Sequence, residues 1–189
     1  MTDFTRRKAI AVAVGTMAGT TTTFKLIAPA AAADMSDFDL FVEVSAELTG
    51  IAKAKLAPDP DPNQIKFAYF NQAKDAKGFG DLIKIVRDAP NFVAAATQIM
   101  SNSPDDIKYL GRSIILAWYL GTWYPPTLLQ TTPQPPSGVL PNKVVSAAAY
   151  TQGWTWRVAR AHPMGYSELR FGHWSDEPVS FKELTGKDL

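Results

Sequence analysis

Apolar positions recur at three- and four-residue steps through much of the chain, the spacing that lines one face of a helix. Phe41, Val44, Leu48 and Ile51 follow Ser36-Asp37-Phe38-Asp39, a serine with acids of the kind that opens a helix, and Gly50 ends or kinks it. Pro58, Pro60 and Pro62, spaced by Asp59 and Asp61, break the chain. Beyond them a helix is expected over 63–76, with Ile65, Ala68, Tyr69 and Gln72 on a mixed face and Gly78 and Gly80 ending it. Asp81 is expected to cap a third helix that carries Leu82, Ile85 and Val86 towards Pro90, and residues 91–100 are compatible with another. The clearest start is Ser103-Pro104-Asp105-Asp106. Serine caps, proline suits the first turn, and the acids face the positive end of the helix dipole. Ile107, Leu110, Ile114, Ile115 and Trp118 then mark 104–120 as the central, most buried helix, with Gly111 allowing close packing and Gly121 as its stop.

After residue 124 the periodicity is lost. Residues 125–141 hold six prolines among Thr, Gln and Ser and predict an arm without regular structure. A short helix is compatible with 143–152, and the tail 153–189 is aromatic but poorly patterned. The fold class expected is therefore all-α: five to six helices, no substantial sheet, the proline-rich arm, and an irregular aromatic C-terminal segment.

The N-terminus has a different character. Arg6, Arg7 and Lys8 precede a weakly apolar stretch rich in Ala, Gly and Thr, and small residues crowd positions 28–33. Residues 1–33 thus read as a twin-arginine-type signal peptide cleaved after Ala33, leaving 34–189 as a single helical domain. An amphipathic or buried N-terminal helix of an intracellular protein is the alternative. The stretch is too weakly apolar for a permanent membrane span.

The chemistry on offer is thin. The chain has no cysteine, so disulfides and thiolate chemistry are excluded, and its two histidines, His162 and His173, lie outside zinc-ligand spacing. Gly78-Phe79-Gly80 lacks the third glycine and the preceding strand of a dinucleotide fingerprint, and no G-x-S-x-G elbow occurs. Glu43 and Glu47, one turn apart, read as a solvated face. A net charge of +1 gives no ground for nucleic-acid binding. No catalytic, cofactor-binding or metal-ligating residue is assigned. What stands out is aromatic: five Trp, six Tyr and ten Phe in 189 residues, many in the arm and tail. Any one of these rings can close the core. Together they also suit a partner surface, where Trp, Tyr and Arg are enriched. Trp123, Tyr124, Trp154, Trp156, Arg157, Tyr166 and Trp174 are the expected interface residues, in an obligate contact of roughly 2,000 Å² or more.

Three blocks carry a family resemblance: Phe38-Asp39-Leu40-Phe41 through Ser45-Ala46-Glu47-Leu48-Thr49-Gly50, then Ile115-Leu116-Ala117-Trp118-Tyr119-Leu120-Gly121, and Gly172-His173-Trp174-Ser175-Asp176-Glu177-Pro178. With the leader, they resemble the small subunit of bacterial membrane-associated, flavin-dependent sugar and polyol dehydrogenases (sorbitol, fructose and glucose dehydrogenases). The resemblance implies a non-catalytic subunit that assists maturation and export of a large FAD-containing subunit. It also implies a multihaem cytochrome c subunit with haem c in the same complex, at the periplasmic face of the cytoplasmic membrane. Some relatives carry a cysteine near the position of Ala161. Its absence here implies a non-covalent assembly. Two other readings compete. A freestanding periplasmic binding or structural protein would close a pocket with Trp154, Trp156 and Tyr166. A small enzyme would use His162 or His173.

Overall fold

In the computed structural model, the residues described are 34–130, 142–162 and 170–188. The expected signal peptide, with Arg6, Arg7 and the Ala33 cleavage point, lies outside them, as do Tyr166 and most of the proline-rich arm.

The fold is all-α, as the periodicity predicts. Helix α1 (Asp37–Thr49) starts at Ser36, whose side chain accepts the Asp39 N–H, and stops at Gly50. A short α2 (Lys53–Leu56) leads into the proline loop. Helix α3 (Ile65–Lys74) is opened by Asp61, whose carboxylate accepts the N–H groups of Ile65 and Lys66 at 3.1 and 3.0 Å. Helices α4 (Phe79–Asp88), α5 (Phe92–Ser101) and α6 (Asp105–Leu120) complete the five of ten or more residues among the described ones. Helix α6 is the hub. It packs against α1, α3, α4 and α5 and buries Ile107, Leu110, Ile114, Ala117 and Trp118. A Cβ at Gly111 would sit 2.9 Å from Ile99 Cγ2, so the α5–α6 approach depends on glycine there. Phe70 gathers Phe38, Phe41 and Phe79 in edge-to-face contacts with centroids 5.4–5.8 Å apart, tying α3 to α1 and α4.

Two helix starts differ from expectation. Gly78 and Gly80 do not merely end α3. Gly78 is the N-cap of α4 with φ 88°, Gly80 lies inside that helix, and Asp81 sits in its first turn rather than capping it. Burial of Phe79 against Phe70 draws the chain into helix three residues early. Ser103 does not cap α6 either. Its hydroxyl donates back to the Gln98 carbonyl at 3.0 Å, and Pro104 takes the N-cap position without a side-chain bond. Asp105 and Asp106 do occupy the first turn.

After α6 the chain makes a two-residue strand β1 (Thr122–Trp123), a helical turn α7 (Pro126–Leu129), and a strand β2 (Lys143–Val144) antiparallel to β1. The arm is thus not irregular throughout: Pro126 suits the first helical position, where its missing N–H goes unused. Its two ends are held together by the strand pair and by Asn142 donating to the Tyr124 hydroxyl at 3.2 Å.

The tail is also more ordered than its pattern suggests. Helices α8 (Ala147–Thr151) and α9 (Trp154–Val158) return to α6, and a 3-10 turn covers His173–Ser175. Helix α10 (Phe181–Thr185) has a reciprocal Ser180–Glu183 capping box. Those bonds from Ser180 to the carboxylate hold Glu183 below the usual glutamate range. Five-residue helices are too short to show periodicity in sequence, but their caps and contacts hold them. Lys187 Nζ reaches Glu47 at 2.7 Å and the Ala46 carbonyl at 3.3 Å, meeting the C-terminal end of α1.

Two substitutions test this hub. Leu110 has no exposed surface, so Leu110→Ala is expected to cost about 2–5 kcal/mol in chemical denaturation. Gly121 has φ 64°, and a Cβ there would overlap the Ala149 backbone carbonyl. Gly121→Ala is therefore expected to lower the thermal midpoint and to loosen α8 and α9, read by hydrogen exchange, while Gly80→Ala, with open space around it, leaves both unchanged.

Candidate partner interface

The close approach of α8 to Gly121 seats α9 across the end of α6 and fixes where the tail aromatics go. Of the seven expected interface residues Tyr166 lies outside the described residues, and the other six separate into three groups. Trp123 and Trp154 are buried within this chain, Trp154 with 4 % exposure. They close its own core. Tyr124, Trp156 and Arg157 lie at the boundary. Trp156 is half-buried, its ring edge-on to Tyr150 and its Nε1–H donating to the Tyr150 carbonyl at 2.8 Å. The Arg157 guanidinium lies 5.2 Å from the centre of the Trp154 ring, a cation–π contact at an exposed position. Trp174 alone of the described tryptophans is strongly exposed, at 65 %.

Trp174 has a neighbour that the sequence pattern did not single out. Phe171 is 91 % exposed and stacks edge-to-face on Trp174, with centroids 5.3 Å apart. Val179 and Phe181 add exposed apolar surface a few residues on. The signal available in sequence was the position of Phe171 beside the Gly172-to-Pro178 block.

His173 anchors this platform. It is buried, its Nε2 lies 2.8 Å from the Arg160 carbonyl and its Nδ1 3.1 Å from that of Arg170. Arg160, with φ 49°, returns the contact: its guanidinium donates to the His173 carbonyl at 2.6 Å and the Asp176 carbonyl at 3.0 Å. Arg170 pairs with the Asp176 carboxylate. His173 therefore holds the backbone on both sides of 163–169. His162 is exposed, on the rim of the neighbouring hollow.

Three hollows lie around α9. One of 480 Å³ is lined by Trp156, Arg160, His162, Arg170 and His173. A second of 160 Å³ lies between the proline loop and the rings of Tyr69, Trp118 and Trp154. A third of 420 Å³ lies beside Lys55 and Val179. Arg157 lines all three. Trp156 lines the largest hollow and Trp154 the other two, so these rings do not converge on one closed pocket. In the second hollow burial pushes the Tyr69 hydroxyl above the usual tyrosine range, with Asp61 adding to the shift, and Lys66 holds the Asp59 carboxyl on the loop below its own. Tyr69 packs edge-on against Trp118 at 4.7 Å, and Trp118 Nε1 has no hydrogen-bond partner among the described residues.

The comparisons fit this picture. A family model described as "Membrane bound FAD containing D-sorbitol dehydrogenase" matches residues 4–178, and the chain belongs to that family. It is the subunit family that the sequence blocks resemble. No curated protein and no solved structure matches the chain. No helix among the described residues is long and apolar enough to cross a membrane. Gly78-Phe79-Gly80, the glycine pair closest to a dinucleotide fingerprint, does not fit the family's FAD. It opens α4 after another helix rather than after a strand, and Phe79 between the glycines is packed against Phe70, which leaves no phosphate cradle.

The two classes of tryptophan give opposite expectations. Trp154→Ala is expected to destabilise the isolated chain by about 3–5 kcal/mol in denaturant titration. Trp174→Ala is expected to leave the isolated chain within about 0.5 kcal/mol of wild type. It should instead weaken binding to the FAD-containing subunit, measured by titration of purified components.

Proposed function

We propose that this chain is the non-catalytic small subunit of a heteromeric FAD-dependent sugar or polyol dehydrogenase, with sorbitol the favoured substrate. The family match over residues 4–178 carries this reading. The exposed Phe171–Trp174 pair supports it, since a stacked aromatic pair rimmed by Arg170 and Asp176 is the kind of surface that a partner covers. The partner is the FAD-containing subunit, which oxidises the sugar alcohol. A multihaem cytochrome c subunit takes the electrons onward. The small subunit contributes assembly: it stabilises the large subunit during maturation and supplies the export signal for both. Arg6 and Arg7 are read as a twin-arginine address, with cleavage after Ala33, and the complex sits at the outer face of the cytoplasmic membrane, held there indirectly. In this reading Tyr124, Trp156, Arg157, Tyr166 and Trp174 meet the partner, while Trp123 and Trp154 shape the surface from behind.

Replacing Arg6 and Arg7 together with lysine keeps the charge but alters the address. Fractionation of cells carrying that double variant is expected to find this chain and the FAD-containing subunit in the cytoplasm, with periplasmic dye-linked sorbitol oxidation lost. Normal periplasmic activity in the double variant would exclude the twin-arginine route. Full activity of the FAD-containing subunit expressed without this chain would exclude the assembly role.

A further inference from the structure

We propose that the hollow between the proline loop and the end of α6 is a binding site, within this chain, for a small neutral polyol. The proposal goes beyond the assembly reading above and does not depend on it.

The hollow has a volume of 160 Å³. A single water occupies roughly 10–15 Å³ of such space, so there is room for a small organic molecule. The walls are of two kinds. Tyr69, Trp118 and Trp154 bring rings, and Pro58, Pro60 and Pro62 bring apolar carbon without an N–H.

Among these apolar walls stand neutral polar groups. Trp118 is buried, and its Nε1–H has no hydrogen-bond partner among the described residues. A buried donor left in that state costs free energy that an incoming oxygen would relieve. Asn63 and Gln152 line the same hollow, and neither side-chain amide is engaged in a hydrogen bond among the described residues. The indole needs an acceptor, and each amide offers both a donor and an acceptor. Hydroxyl groups answer both needs, because each donates one bond and accepts others. The C–H surface between the hydroxyls of a polyol packs on the rings. A proline-bearing peptide would meet the indole through a carbonyl but would bring few donors to the amide oxygens.

Charge points the same way. Lys55, Asp61, Lys66 and Arg157 line the hollow, and each already has a partner inside the chain. Lys55 donates to the Glu183 carbonyl, and Lys66 pairs with Asp59. Asp61 accepts the N–H groups of Ile65 and Lys66, and Arg157 lies over the Trp154 ring. A ligand without charge leaves all of these contacts in place. An anion would have to compete for cations that are already engaged.

The test is a titration of the isotope-labelled full chain with D-sorbitol, the polyol named in the family's description, followed through the indole N–H resonances. The Trp118 resonance is expected to move and to saturate in roughly the millimolar range, while that of the exposed Trp174 stays in place. Asn63 is exposed on the proline loop, so Asn63→Ala should fold as the parent does and bind D-sorbitol roughly threefold to tenfold more weakly. Gln152→Ala is a second variant with the same expectation. D-gluconate, which carries a carboxylate on a similar polyol, should bind more weakly than D-sorbitol. A Trp118 resonance that does not move, or that drifts without saturating, would overturn the proposal. So would tighter binding of D-gluconate or of a proline-rich peptide, or unchanged affinity in both variants. None of these results touches the assembly reading, because the FAD-containing subunit is absent from the titration.

Discussion

The contact between the end of α6 and the start of the tail fixes the rest of the molecule. Gly121 takes a left-handed conformation that ends the central helix, and the Ala149 backbone lies where a side chain would otherwise stand. Gly153 makes a similar approach from the other side, where a Cβ would sit 2.8 Å from the Tyr119 carbonyl. Between these two glycines α8 is pressed against the core without side chains intervening. Trp154 then falls onto the end of α6 near Trp118 and Tyr69, and Arg157 is carried over its ring. Backbone-to-backbone packing at this one junction converts a helical domain with a loose extension into a domain with a shaped surface.

Tail and core are joined a second time at the far end. Thr185 is buried, its carbonyl accepts the Ala52 N–H at 2.8 Å, and Lys187 meets the last turn of α1. The tail is thus pinned at α8–α9 and again at α10, and the Phe171–Trp174 platform stands on the span between. Short-range bonds tie Arg160 to residues 170–176: the His173 ring to two carbonyls, the Arg160 guanidinium to two more. These bonds set the backbone but bury little apolar surface, so the rings above them stay in water. A surface with that combination of fixed backbone and exposed aromatics is suited to docking with small ordering cost.

The sequence carried the long helices well because their apolar spacing repeats over ten to sixteen residues and their ends follow backbone chemistry. Ser36, Asp105, Asp106 and Gly121 act as their types predict. Ser103 did not, because a hydroxyl at a helix junction can turn to the preceding helix's carbonyl as readily as to the following N–H groups. Gly80 misled for a different reason: the burial of Phe79 outweighs the modest helix penalty of one glycine. The burial of the tail aromatics was not legible residue by residue. Trp154 and Trp174 are the same side chain in the same tail, yet one is buried by the Gly121–Ala149 junction and the other is raised by a histidine turn. Neither long-range contact leaves a periodic trace. Phe171 went unmarked because a lone phenylalanine in sequence reads as core.

The central claim is that the surface of this tail is completed by the FAD-containing subunit. Hydrogen exchange read by mass spectrometry, on this chain alone and in the purified complex, tests it directly. The account predicts that amides of 154–160 and 170–181 become markedly slower to exchange in the complex, while those of α6 are unchanged. Identical exchange across 154–160 and 170–181 in the two samples would contradict it.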